Sequence, residues 1–321
     1  MPSPDESRHF TLEPLADGVW AAIHRVGGWA VGNAGIVDLG DATLLFDAFL
    51  TAAAADDLAA AALALTGRGP DVIVLSHFHN DHIRGAQVFP GVPVVATRAT
   101  RTLIDTLGRD ELASDLEHAA PQRDRAAAMA DADDPARRAY AAYFEPYWAG
   151  LAASAPGVTL RLPTIAFDDR LEIHGSRRTA LVRSLGAAHT PDDAILVLED
   201  DGVVFCSDLL FVRSHPYLAD GDPDGWLRAL DTLAAYGGSR FVPGHGPVGT
   251  EAAVRALAEH IRSLHTTAAG LLRDGASDDD VADLLPLDAT AAWDFAYPFY
   301  RSNLRFLLAR ERARSGQTTR S

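Results

Sequence analysis

Two stretches of the chain share one plan, and that repetition narrows the fold more than any other feature. In the first, G-I-V-D-L-G-D-A-T-L-L-F-D reads as a strand, a tight turn and a second strand ending in Asp47. A helical stretch follows over about 51–66, and the strand V-I-V-L-S then runs into His77. In the second, A-I-L-V-L-E-D-D-G-V-V-F-C-S-D repeats strand, D-G turn and strand, this time ending in Asp208. A helical stretch over about 223–236 follows, and R-F-V-P-G arrives at His245. A doubled unit of this kind predicts two sheets packed face to face, helices on their outer faces, and strand ends meeting along one edge. Ligands of α/β sheets gather at strand carboxyl ends, which is where Asp47, His77, Asp208 and His245 fall.

A length of 321 residues suits one large α/β domain with additions, so a single domain over 1–321 is expected. Between the two halves, from about 98 to 155, lies an Ala, Arg and Asp rich region with helical periodicity, read as a helical insert. Within it, A-R-R-A-Y-A-A-Y-F-E-P-Y-W sets Tyr140, Tyr143, Phe144, Tyr147 and Trp148 on one helix face. Such a face either packs on the main body or forms an apolar lid over the strand edge. Residues from about 251 to 313 read as a C-terminal helical extension.

Charge and composition remove several classes of function. With 28 Lys+Arg against 44 Asp+Glu the formal charge is −16, an acidic surface that repels phosphate backbones, so nucleic acid is not an expected partner. Every basic residue is Arg, which removes the P-loop lysine, Schiff-base lysines and the S-x-x-K hydrolases. The single Cys206 permits no intramolecular disulfide and, two residues before Asp208 on a strand, reads as a small core residue. The start M-P-S-P-D-E-S-R-H-F has neither a basic region nor an apolar run, and the Ala-rich stretch from 51 to 64 is broken by Asp56 and Asp57. The expectation is a soluble cytoplasmic protein acting on a small molecule, with no membrane partner and with a homodimer left open.

The chemistry concentrates in S-H-F-H-N-D-H, residues 76–82. On an extended segment, side chains at i and i+2 point the same way, so His77 and His79 can grip one ion from one face. Asp81 and His82 sit where the loop turns into a helix at A-Q-V-F, aimed at the same edge from another direction. Imidazole and carboxylate bind Zn, Fe or Mn in hydrolytic centres, and paired cations about 3.5–4 Å apart call for a bridging carboxylate.

S-H-F-H-N-D-H-I-R-G resembles the H-x-H-x-D-H signature of the metallo-β-lactamase fold superfamily. Later elements of that family follow in order: A-A-H-T-P at His189, F-C-S-D at Asp208 and P-G-H-G-P at His245. The likeness spans residues 33–249 and leaves the helical insert and the C-terminal tail uncovered. It implies an α/β fold, a four-layer αβ/βα sandwich of two mixed sheets with outer helices. It further implies that His77, His79 and His189 bind a first metal, that Asp81, His82 and His245 bind a second, and that Asp208 bridges them. Asp47 would be the family's buried aspartate that braces the metal loops. The implied cofactor is a pair of divalent ions, zinc first, with Fe or Mn as alternatives. Ala188, Asp192 and Ser207 stand where the family commonly has Gly, which changes backbone freedom but removes no ligand.

Two such ions lower the pKa of a bridging water, giving a hydroxide nucleophile, and hold the attacked oxygen as charge develops on it. Hydrolysis is the implied reaction, with Asp81 and Asp208 as its carboxylates. An Asp at the bridging position resembles the thioesterase, lactonase and phosphodiesterase branches more than the antibiotic-hydrolysing one. The Gly-Cys-Gly-Arg stretch of glyoxalase II is missing after Asp208, the charge suits the tRNA-processing branch badly, and Phe211 stands where acyl-homoserine lactonases usually carry Tyr. An ester, lactone or thioester hydrolase remains. The alternatives are an iron-dependent oxidoreductase similar to persulfide dioxygenases, a β-lactam side activity, and a non-catalytic metal-binding protein. Candidate substrate contacts are His24 and Trp29 in the Gly-rich hairpin tip H-R-V-G-G-W, and His215 and Tyr217 in R-S-H-P-Y after Asp208. Arg213, Arg301 and Arg305 are candidates for an anionic substrate.

Overall fold

The computed structural model describes residues 7–281, 284–286, 289–314 and 316; the first six, on which much of the reading of the N-terminus rests, lie outside them. One sheet has seven strands in chain order: β1 (Phe10–Ala16), β2 (Val19–His24), β3 (Ala34–Asp38), β4 (Thr43–Phe46), β5 (Val72–Val74), β6 (Val94–Thr97) and β7 (Ile165–Phe167). Its first four strands pair antiparallel and β4 to β7 pair parallel. The other sheet has five strands: β8 (Arg170–His174), β9 (Thr179–Ser184), β10 (Ala194–Leu198), β11 (Val203–Phe211) and β12 (Arg240–His245). They are antiparallel except for the parallel pair of β11 with β12.

Both halves therefore carry an antiparallel hairpin, a crossover helix and a parallel strand, as the doubled unit predicts. Alternate side chains along each strand point to opposite faces, and both faces are buried. Leu44, Phe46, Val74 and Val95 meet Ala194, Leu196, Val203 and Phe205 between the sheets. Their neighbours Leu45, Ile73 and Val94 instead pack under α1 (Ala52–Thr66). On the far side Ile195, Val197, Val204 and Cys206 pack under α6 (Pro223–Ala234), α7 (Glu251–Arg273) and α8 (Ala296–Arg314). Four layers result: helix, mixed sheet, mixed sheet, helices. Helix α1 starts at Thr51, whose hydroxyl accepts from the Ala54 N–H, and stops at Gly67, whose φ of 75° suits glycine.

Between β5 and β6 lies a single turn, α2 (Asn80–Ile83), followed by a 3-10 turn over Arg84–Val88. The turn therefore begins earlier than A-Q-V-F and already contains Asp81 and His82. Likewise β11 does not end at Asp208; it runs on to Phe211 through a register shift around Ser207. Between β6 and β7 come α3 (Arg98–Asp105), α4 (Leu107–Ala127) and α5 (Pro135–Ser154), the last capped by Asp134. Ala119 and Leu151 of α4 and α5 pack on Val31 and Leu50 of the sandwich. Among the described residues no helix is long and apolar enough to cross a membrane.

Candidate metal centre

Each ligand-bearing loop leaves the end of a strand in a conformation its sequence explains. Asp47 follows β4 with φ 61°, a left-handed backbone that Asp tolerates better than most residues. After β5 the chain bends at His77 and Phe78, passes His79 in an extended conformation (φ −64°, ψ 147°) and then closes into α2, which presents Asp81 and His82 in succession; the straight extended segment expected from the sequence is therefore bent at its first ligand. The loop carrying His189 is closed by Asp193, whose carboxylate accepts from the Thr190 N–H (2.9 Å) and hydroxyl (2.8 Å). His245 ends β12 between two glycines. A Cβ on Gly244 would lie 1.7 Å from Asp208 Oδ1, so that position admits no side chain. Asn33 locks the same loop, donating to the carbonyls of Pro243 and Gly246, both at 2.9 Å, while its own carbonyl accepts from the His24 N–H.

The seven candidate ligands converge as two groups, each with its ligand atoms within 4.8 Å of one another. In the first, Asp208 Oδ2 lies 3.2 Å from His189 Nε2 and 3.9 Å from His77 Nε2, and His189 Nε2 lies 2.9 Å from His79 Nδ1. In the second, Asp208 Oδ1 lies 3.1 Å from His82 Nε2 and 3.5 Å from His245 Nε2. Asp81 Oδ2 lies 3.5 and 3.4 Å from those same two nitrogens. The two oxygens of Asp208 thus face different groups.

Behind the ligands, Asp47 is fully buried and gathers the donors that orient them. Its Oδ1 accepts from the Ser76 N–H (2.8 Å), and its Oδ2 accepts from Ser76 Oγ (2.9 Å), Ser207 Oγ (2.8 Å) and His82 Nδ1 (2.9 Å). With Ser76 donating to Asp47, its oxygen accepts from His77 Nδ1 at 2.9 Å. His189 Nδ1 donates to the Tyr217 carbonyl (3.1 Å), and His79 Nε2 donates to Asp220 (3.1 Å). Protons held on the outer nitrogens leave the inner ones as lone pairs, the form in which imidazole binds a cation. Ser207 has φ 49°, a conformation costing an ordinary residue roughly 1–2 kcal/mol, and it supplies the hydroxyl that a Gly there would lack.

Three of the inner atoms lack hydrogen-bond partners. His77 Nε2, His82 Nε2 and Asp208 Oδ1 are buried without a hydrogen bond, a state that is costly unless an ion satisfies them. Burial pushes the Asp208 carboxyl up, yet His245, His82 and His189 outweigh it and hold it well below the usual carboxylate range. Burial likewise opposes charge on His82, but Asp81, Asp208 and Asp47 raise its pKa well above the ordinary value. His77, with burial and His82 both acting against it, is held well below. Three buried carboxylates so placed call for positive charge, and the donor set suits divalent cations.

The remaining predicted residues divide. His24 stands edge-on to His245 with ring centroids 5.8 Å apart, and burial, then His245, pushes its pKa down to about 3. It does not line the cavity above the ligands. Trp29 also stays out of that cavity: Arg8 stacks on it at 4.8 Å and Gly150 of α5 packs against it. His215 is a core residue, fully buried against His260 (4.6 Å), with Nε2 at 2.8 Å from the Thr290 carbonyl. Tyr217 lines the cavity. Arg213, Arg301 and Arg305 do not, so the expected anion contacts fall away. Asp220 and Asn33 do not stand out as site residues in the sequence; no spacing marks Asp220, whose partner His79 lies 141 positions away.

The cavity measures about 630 Å³, with Asp81, Asp208, His79, His189 and His245 at its floor. Helix α5 supplies Tyr143, Phe144, Tyr147 and Trp148 as one wall, and Phe295 and Phe299 at α8 form another. The aromatic face of the insert therefore covers the ligand edge.

Fold and site together define an αβ/βα protein of metal-dependent hydrolase type, built to hold divalent ions at the strand ends. The chain belongs to the metallo-beta-lactamase superfamily, whose model matches residues 27–245, ending on the last ligand. It is similar in fold to the solved structure of a metallo-beta-lactamase from Pontibacter korlensis, with 17% identity, 78% of this chain and 99% of that chain covered, and a TM-score of 0.55. No curated protein matches it by sequence.

Proposed function

We propose that this protein is a zinc-dependent binuclear hydrolase acting on the ester, lactone or thioester carbonyl of a small molecule. The observation that carries this reading is the division of Asp208, with Oδ2 3.2 Å from His189 and Oδ1 3.1 Å from His82. One group of four and one of three, sharing that carboxylate, fit two ions side by side, with His77, His79 and His189 on one and Asp81, His82 and His245 on the other. When bound, such ions supply Lewis acidity and a water ionised near neutral pH.

The protein's own residues do the rest. Asp81 opens onto the cavity and is placed to carry a proton towards the leaving oxygen of an ester or lactone, or the leaving sulfur of a thioester. Tyr143 lines the same cavity and has no hydrogen-bond partner among the described residues, so its phenol is available to an oxygen of the substrate. The aromatic walls flank the reacting edge on two sides. The completeness of the second group, Asp81 included, favours this reading over a mononuclear iron oxygenase.

The test is kcat/KM on zinc-loaded protein across an arylester, a γ-lactone, a thioester, a phosphodiester and a cephalosporin, each with an Asp208→Ala control. One carbonyl class standing orders of magnitude above the others and collapsing in the control supports the proposal. Turnover led by the phosphodiester or the cephalosporin, or no turnover above the control, overturns it.

A further inference from the structure

The rings above the metal centre form one connected wall that no property of the centre requires. From the ligand His245 the chain of contacts passes to Phe295 (6.1 Å between centroids), then to Phe299 (4.9 Å, stacked) and to Tyr143 (4.3 Å, edge-on). Phe144 closes the ring, 5.8 Å from Phe295 and 6.5 Å from Phe299, so the insert helix α5 and the C-terminal helix α8 meet around the cavity. Phe295 holds φ 61°, a left-handed backbone rare for a bulky residue, and such outliers concentrate where a side chain must be aimed.

The wall offers no free cation among the described residues. No Arg lines the cavity among the described residues, and the chain has no Lys. Of the two acids above the floor, Asp220 is bonded to His79, and Glu111 faces Arg84 at 4.0 Å. Arg84 is itself buried and paired with Asp115 at 2.6 Å. An anionic group at the wall end of a substrate would meet no counterion, while a ring would meet faces and edges on several sides. Aromatic pairs gain beyond area burial, enough for a roughly 2- to 12-fold preference over a saturated ring of the same size.

From the continuous ring wall and its lack of a free cation, we infer that the substrate carries an uncharged aromatic group, seated between α5 and α8 with its carbonyl towards Asp208. This rests on the hydrolase reading above for the position of the carbonyl, but the binding preference can be measured without turnover. Zinc-loaded protein is titrated by calorimetry with phenylacetamide, cyclohexylacetamide and 4-carboxyphenylacetamide. In parallel, hydrolysis of the corresponding methyl esters, which carry no second ring, is followed by proton release, each normalised to its rate in hydroxide.

The expected result is phenyl over cyclohexyl by a factor of roughly 2 to 12 and phenyl over carboxyphenyl by roughly 100 or more, in binding and in kcat/KM. Phe144→Leu and Phe299→Leu, made separately so that one misfolded variant does not decide the matter, each bring the phenyl-to-cyclohexyl ratio towards one. Equal binding of the phenyl and cyclohexyl amides, or of the charged and uncharged ones, overturns the inference. Ordered amide binding with no ester turnover above Asp208→Ala supports the inference while the hydrolase reading fails. Turnover without ring preference does the reverse.

Discussion

Replacing Asp47 by Asn isolates what the buried aspartate does, because Asn has the same shape and tolerates the left-handed backbone (φ 61°) that Asp47 occupies. The amide oxygen keeps the Ser76 N–H at the Oδ1 position, but the amide nitrogen then faces Ser76 Oγ, Ser207 Oγ and His82 Nδ1. Hydroxyls can turn and accept; an Nδ1–H cannot. His82 must either exchange the carboxylate for the weaker, uncharged Ser207 Oγ at 3.2 Å or move its proton to Nε2, which points at Asp208 Oδ1 from 3.1 Å and would be blocked for a metal. Losing a charge-assisted bond of this kind costs roughly 1.5–3 kcal/mol, or about 10- to 100-fold in affinity for the ion on His82. His77 is tied to Asp47 only through Ser76, so its ion should weaken by a few-fold at most. Competition between metal-stripped protein and a chromophoric chelator reads both affinities. Two affinities within about threefold of wild type would refute the claim that Asp47 sets the His82 tautomer.

Gly244→Ala should abolish binding of both ions, since its Cβ would fall 1.7 Å from Asp208 Oδ1; metal content of the purified protein by mass spectrometry reads this. Ser207→Gly should release backbone strain yet weaken metal binding by roughly tenfold through loss of the hydroxyl on Asp47, whereas Ser207→Ala should show the metal loss without the relief; unfolding of the stripped proteins together with metal titration separates the two. His24 has a folded-state pKa depressed to about 3 by burial, so the unfolded chain takes its proton first. That contribution to stability is present above about pH 6.5 and is lost as pH falls towards 3, and His24→Gln should flatten the acid limb of denaturant stability measured against pH. Asp220→Asn should weaken the ion held by His79 by roughly tenfold while leaving the one held by His82 unchanged, read by the same chelator competition.

Much of this molecule is legible in the chain because its central strands are buried on both faces. V-I-V-L and A-I-L-V-L read as continuous apolar runs for that reason, and the strands of the doubled unit follow from them. Strand β8 does not read so: R-L-E-I-H alternates between half-buried and exposed positions at a sheet edge, and β7 spans only three residues. The ligands are legible because few side chains bind a cation and seven of them cluster in short motifs at or just beyond the strands of the doubled unit. His215 carries the same residue type, but its ring is claimed by His260 and the Thr290 carbonyl, a contact set by the packing of distant helices. Trp29 sits in the expected hairpin tip, yet Gly150 of the insert draws it away from the ligands. Helical spacing places Tyr143, Phe144, Tyr147 and Trp148 on one face. That Phe295 and Phe299 close the cavity opposite them depends on how α8 docks, which no local pattern records.

The division of Asp208 between two groups of ligands is tested most directly by titrating zinc into metal-stripped protein by calorimetry, for wild type and for Asp208→Ala. Wild type should bind two equivalents, and the variant should lose affinity at both positions, because Oδ2 and Oδ1 serve different groups. A single equivalent in wild type, or an unchanged isotherm in Asp208→Ala, would contradict it.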